Sequence, residues 1–289
     1  MSVCAASFRI AAMNFPPFWA KASHAGFSCW RWSHQSLSEA QNLAEEAARK
    51  LAAQFSSGAR QRHRYAYADR PLREPVLREF PDASGAAAAV ITRNSYGCLV
   101  LNTARVMFVD VDLPEPKRAG GGLLKKLFGK PAAAPTDPVA ESLAKAEAWT
   151  QRHPGWGWRV YRTRAGLRLL ATHDRFEADA PMTHAAFEAL AADPLYRQLC
   201  KTQKCFRARL TPKPWRCGVA NPPARWPWRD AAAEAEFKTW EEEYLAACAD
   251  FATCELLATL GDAQVHPDVQ LVLSAHDQAT RAEAKIELA

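Results

Sequence analysis

RVMFVDVDLP, residues 105–114, is an apolar run that ends in two aspartates placed two apart. Its Val, Met and Phe content predicts a strand, and side chains two apart on a strand share a face. Asp110 and Asp112 therefore direct their carboxylates to one spot. Val106 to Val111 is apolar apart from Asp110, and a carboxylate there is costly to desolvate unless a cation or a hydrogen bond compensates. Two readings are open. Either the pair holds a divalent ion, Mg²⁺ or Mn²⁺, whose hard-oxygen preference suits carboxylates and which in turn binds phosphate. Or Asp110 caps a backbone group or pairs with an arginine while Asp112 faces solvent.

Upstream, AAAAVITR and GCLVLN flank a turn at Asn94, Ser95 and Tyr96, which predicts three consecutive antiparallel strands with 105–112 as the third. Before them, residues 60–80 are Arg-rich and Pro-punctuated and read as irregular. SLSEAQNLAEEAARKLAAQFSSG is an amphipathic helix: Ser36 and Glu39 have capping-box spacing, Leu43, Ala47, Leu51 and Phe55 repeat every four residues, and Gly58 stops it. Residues 1–35 read as an irregular N-terminal extension. Arg9, Lys21 and Arg31 precede the first acid, Glu39, but the Arg and Ser density of a transit peptide is missing, so Met13 is an alternative start.

Downstream, residues 114–136 are rich in Gly, Ala, Pro and Lys and read as a mobile, disordered insertion within a single domain, 36–289. Asp137 and Pro138 start a helix running to about His153, and Trp158–Thr163 and Leu167–Thr172 form a hairpin around Arg164, Ala165 and Gly166. Thr183 and the Asp193, Pro194 pair start two short helices. CFRARLT and WRCGV read as strands, and Asp230 caps a helix to about Leu260. The class is α+β, a mostly antiparallel sheet with flanking helices.

Composition narrows the function. With 48% hydrophobic and 24% charged residues over 289 positions, the chain reads as folded and soluble. No apolar run approaches the roughly 20 residues of a membrane span. Eight scattered cysteines suggest reduced thiols and a cytoplasmic location, and Cys200, Cys205 and Cys217 lack the paired spacing of a zinc site. The formal charge is +6, but Arg197 to Arg229 holds nine Lys or Arg and no acid, so this one segment carries the positive field.

Within it, Arg207 and Arg209 share a strand face, and Pro212 and Pro214 stiffen the path that presents Lys213 and Arg216 beside Trp215. Trp226 and Trp228 interleave with Arg225 and Arg229. Cations with stacking aromatics are the general means of holding single-stranded nucleic acid, although Trp beside Pro and Arg also packs surface loops over a core. In the hairpin, Arg162 and Arg164 share a face and Arg168 alternates with Leu167 and Leu169. These guanidinium groups suit phosphate, carboxylate or the Asp pair itself, or serve only solubility. His173, at the strand end, is a candidate proton carrier or a polar boundary residue. His276 and Asp277 form a further polar pair on a helix or turn.

A strand ending in Asp-x-Asp, a Thr-x-x-Gly hairpin with a polar return strand, and then a basic strand resemble the catalytic core of archaeo-eukaryotic primases and primase-polymerases. The resemblance covers about 100 residues, with Asp110 and Asp112 as the first motif and Thr163–Leu170 as the second. It implies a metal-holding acid pair and a hairpin side chain that contacts the phosphates of an incoming nucleotide. Arg168 stands where that family carries a histidine, and no acid between Arg197 and Arg229 supplies a third metal ligand. The expectation is a metal-dependent enzyme acting on a nucleotide or nucleic-acid phosphate, a diverged primase-like nucleotidyltransferase. Arg162, Arg168, Arg207, Arg209 and Lys213 would then neutralise phosphate. The alternatives are a non-catalytic nucleic-acid-binding protein that uses 197–229, and a protein specific for a small acidic ligand.

Overall fold

The computed structural model describes residues 13–56, 71–82, 85–114 and 137–289. Gly58 and the insertion from 115 to 136 lie outside the described residues. In chain order the elements are β1 (Phe18–His24), β2 (Phe27–Ser33), α1 (Leu37–Ser56), β3 (Val76–Pro81), β4 (Ala87–Arg93), β5 (Leu99–Thr103), β6 (Phe108–Asp112), α2 (Pro138–Arg152), β7 (Gly157–Thr163) and β8 (Gly166–Ala171). There follow α3 (Pro181–Ala189), α4 (Pro194–Gln203), β9 (Phe206–Arg209), α5 (Ala231–Cys248), β10 (Cys254–Gly261) and α6 (Pro267–Thr280). The fold is α+β, with three antiparallel sheets among the described residues. None of the described helices is long and apolar enough to cross a membrane.

Contacts cluster the chain, read above as one domain from residue 36, into two compact units: 1–104 with 198–250, and 105–197 with 251–289. In the first unit, β1 and β2 form a hairpin, which corrects the irregular reading of 1–35 over residues 18–33. Ala25 and Gly26 make its turn with φ of +48° and +83°, the paired positive φ that matches strand twist. Alanine in place of Asn at the first of these positions hid the signal. Helix α1 packs on the hairpin through Ala40 and Ala44, and Ala48 and Ala52 continue its buried stripe. The expected stripe was one position away, and Leu43 and Phe55 are instead 40% and 60% exposed. The hairpin presents Ala20 and Ala22 to the helix, and small residues on both sides allow close approach. Ser36 Oγ accepts the Glu39 N–H at 3.1 Å, while the Glu39 carboxylate takes the Ser33 hydroxyl rather than closing a capping box.

The second sheet of this unit has the order β3-β4-β5-β9. Val76–Pro81, mostly within the stretch read as irregular, is a strand; its one proline, Pro81, ends it, and β3 is an edge where a missing N–H costs little. The predicted strand at WRCGV is a single 3₁₀ turn, Pro214–Arg216, with Pro214 at its first position.

In the second unit the sheet order is β10-β7-β8-β6. Thus β4 and β5 pair as expected, but β6 pairs with β8 instead of β5, because the chain passes from one unit to the other after Ala104. The helix expected to run to Leu260 ends at Cys248, and 254–261 forms β10 against β7. Apolar residues in FATCELLATL fit either period over so short a span.

Candidate functional site

The register of β6 on β8 sets Asp110 opposite Arg168 and Asp112 opposite Gly166. Asp110 and Asp112 share a face, as strand alternation requires. A Cβ on Gly166 would lie 2.0 Å from the Val111 carbonyl oxygen, so only glycine lets the hairpin tip approach β6. The outer edge of β6 is covered beside the pair: its Asp110 carbonyl accepts the Asp193 N–H at 2.9 Å and its Phe108 carbonyl accepts the Tyr196 hydroxyl at 2.9 Å.

Arg168 is buried, and it grips Asp110 with two donors. Its Nε reaches Oδ1 at 2.8 Å and its Nη2 reaches Oδ2 at 3.3 Å. Its Nη1 lies 3.4 Å from Nε2 of His276, a fully buried ring on α6. A guanidinium can only donate, so Nε2 accepts, and Nδ1 carries the proton that it gives to Asp277 Oδ1 at 2.9 Å. Tyr161 donates to the same oxygen at 2.6 Å, and Arg159 Nη2 donates to the other at 2.7 Å. Burial pushes the His276 pKa below its ordinary value, against the pull of Asp277. Burial also opposes ionisation of Asp277, but hydrogen bonds from His276 and Tyr161 overcome it and hold its carboxyl low.

The result is a chain of two carboxylates, two guanidinium groups and a neutral imidazole, with the exposed Glu283 also on Arg159 at 3.2 Å. It compensates Asp110 from within the protein, in the geometry of the second reading given above, and Asp112 is exposed. Among the described residues no group of three His, Cys, Asp or Glu could hold a metal ion. The structure thus joins His276 and Asp277 to Asp110 and Arg168. Tyr161 and Arg159 complete the set, and their signal in the sequence was alternation on β7 in phase with Arg168.

Other predicted residues lie elsewhere. Arg162 falls on the opposite sheet face from Arg168 and donates to the Gly166 carbonyl at 2.6 Å, and Arg164 is exposed in the turn. His173 accepts the Gly157 N–H at 3.1 Å, its ring lies 4.6 Å from that of Trp156, and burial lowers its pKa.

In the first unit, Arg207 Nη2 donates to both oxygens of buried Glu74, at 2.9 and 3.0 Å, and Glu74 also accepts the Thr92 hydroxyl at 2.6 Å. Arg209 and Arg216 are half-buried. Lys213 lies 5.3 Å over the Trp215 ring, which is 49% exposed and meets Tyr96 edge-on.

The arginines and tryptophans that follow make a larger feature. The loop before α5 and the β1–β2 hairpin enclose a groove of about 970 Å³ whose lining includes Trp19, Trp30, Trp228, Lys21, Arg225 and Arg229. Arg73 lies 4.1 Å over the Trp30 ring, and Trp228 packs 4.5 Å from Phe237 on α5, so two of the rings are braced. Arg229 pairs with Asp230 at 2.9 Å, and Glu236 is the one acid on the wall. The hairpin's share, Trp19, Lys21 and Trp30, was missed in the sequence; an acid-free N-terminal stretch carrying three tryptophans was its only trace.

No protein-family model, curated protein or solved structure matches the chain. The primase-like motif order therefore rests on the residues alone.

Proposed function

We propose that the chain binds single-stranded nucleic acid or a nucleotide, with bases stacked on Trp30 and Trp228 of the first unit's groove and phosphates neutralised by Lys21, Arg225 and Arg229. The observation that carries this reading is the convergence of Trp30, Trp228 and three cations around one groove, with Trp19 buried beneath it. Every base has a π face, so such a wall is tolerant of sequence, and stacking on an aromatic contributes about 1–3 kcal/mol per base. Titrating an oligodeoxythymidylate while following tryptophan fluorescence tests it. Quenching is expected, and Trp228→Ala should weaken binding by about tenfold or more. A wild-type chain that does not bind the oligomer at low salt removes the proposal.

A metal-dependent transferase at Asp110 and Asp112 is the second reading, favoured by their shared face and by the one-third exposure of the Asp110 side chain. Two carboxylates, one already gripped by Arg168, fall short of the donor set such a centre needs. Calorimetric titration of Mn²⁺ into the wild type and into Asp110→Asn/Asp112→Asn decides it. Heat confined to the wild type and strengthened by a nucleoside triphosphate favours transferase chemistry, and its absence leaves Asp110 a structural residue.

A further inference from the structure

The groove continues into a smaller cleft. Ala224, Arg225 and Trp228 line both, and Arg73, Arg93, Asn94 and Ser95 complete the cleft's polar wall. Its cavity volume is about 30 Å³, too small for a base. Three arginines line it and no carboxylate does.

Arg93, the last residue of β4, is the most telling of the three. Its side chain is 10% exposed, its Nη2 pairs with Glu241, and its guanidinium lies 5.0 Å over the Phe237 ring. Its Nη1 is buried and has no hydrogen-bond partner among the described residues. A buried, charged donor without an acceptor is costly, and Arg93 lines the cleft, from which an acceptor would relieve that cost. The neighbouring turn is held rigid, with Asn94 Oδ1 accepting the N–H groups of Tyr96 at 2.9 Å and Cys98 at 3.1 Å. Arg73, stacked over Trp30, ties the cleft to the wall on which bases would lie.

We infer that the cleft is a phosphate monoester site, so that the groove takes a strand end, or a mononucleotide, with its terminal phosphate among Arg73, Arg93 and Arg225. This rests on the nucleic-acid reading above and adds which part of the ligand is selected. A phosphodiester inside a strand must leave on both sides and carries one charge. A monoester leaves on one side, carries up to two charges and presents three free oxygens to guanidinium donors, which suits a narrow cleft opening on one groove.

The test compares oligodeoxythymidylates of equal length ending in a 5′-phosphate, in a 3′-phosphate or in hydroxyls only, titrated into the full chain. Thymidine monophosphate and inorganic phosphate serve as competitors. One phosphorylated end should bind about tenfold or more tighter than the hydroxyl-ended strand, as expected for added charge-assisted hydrogen bonds. Arg93→Lys, which keeps a cation for Glu241, and Arg225→Gln, at an exposed position, should each bring that ratio toward one. If Arg93→Lys does not fold by circular dichroism, Arg225→Gln carries the test. Inorganic phosphate competing as well as thymidine monophosphate would show an anion site with no link to the stacking wall, and would overturn the inference. Salt-sensitive binding that ignores the end groups overturns it and leaves the proposed function standing. No binding of any strand overturns both.

Discussion

Arg168 and Arg207 are largely buried on strands, whereas Arg225 in a loop and Lys21 on the outer face of β1 are exposed, and the two pairs meet opposite fates. The strand arginines are answered within the protein, Arg168 by Asp110 and Arg207 by Glu74. Neither Lys21 nor Arg225 has an ion pair among the described residues, and both line the tryptophan groove. The difference follows from solvation. A guanidinium buried against a sheet has lost its water and persists only with a carboxylate beside it. An exposed cation remains hydrated and keeps its charge for a ligand. Charge counted along a sequence does not separate these cases, but burial does.

The largest expected effect lies on the strand side of this contrast. Glu74→Ala leaves Arg207 buried and unanswered and should cost about 3–5 kcal/mol in denaturant unfolding. Asp110→Ala should cost about 3 kcal/mol, since Asp110 is partly exposed and water can enter its place. On the loop side, Arg225→Gln should change stability by less than about 0.5 kcal/mol. A large loss there, or none at Glu74, would break the contrast.

A smaller effect sharpens it through pH. The His276 pKa is lowered in the folded state, so the unfolded chain binds its proton first as pH falls. Stability from the neutral ring is therefore present above the ordinary value of 6.5 and drains away as pH drops from there toward the folded value. His173 is lowered too and acts in the same direction, so the comparison must be with His276→Gln. That variant should show a shallower fall in urea midpoint between about pH 7 and pH 5. An equal fall in both proteins would mean that His276 does not titrate against Arg168 and Asp277 in this way.

Much of the fold was legible where local chemistry acts alone. The β7–β8 hairpin, the Asp137 and Asp230 caps and the β4–β5 pair follow from turn residues and alternation. What was not legible depended on partners distant in sequence. Alanines form the buried stripe of α1 because β1 presents Ala20 and Ala22 to it, and β6 leaves β5 because β8 offers Arg168 and Gly166 in register. The Asp pair was visible, but its answering cation was one of several arginines that sequence alone could not rank. The groove was harder still, since its two walls come from Trp19–Trp30 and Arg225–Arg229, about 200 residues apart.

The salt dependence of oligodeoxythymidylate binding to the wild-type chain tests the central claim most directly. With phosphates neutralised by three groove cations, log K should fall against log salt with a slope of about −2. A slope near zero, or no binding at all, would contradict the groove as a nucleic-acid site.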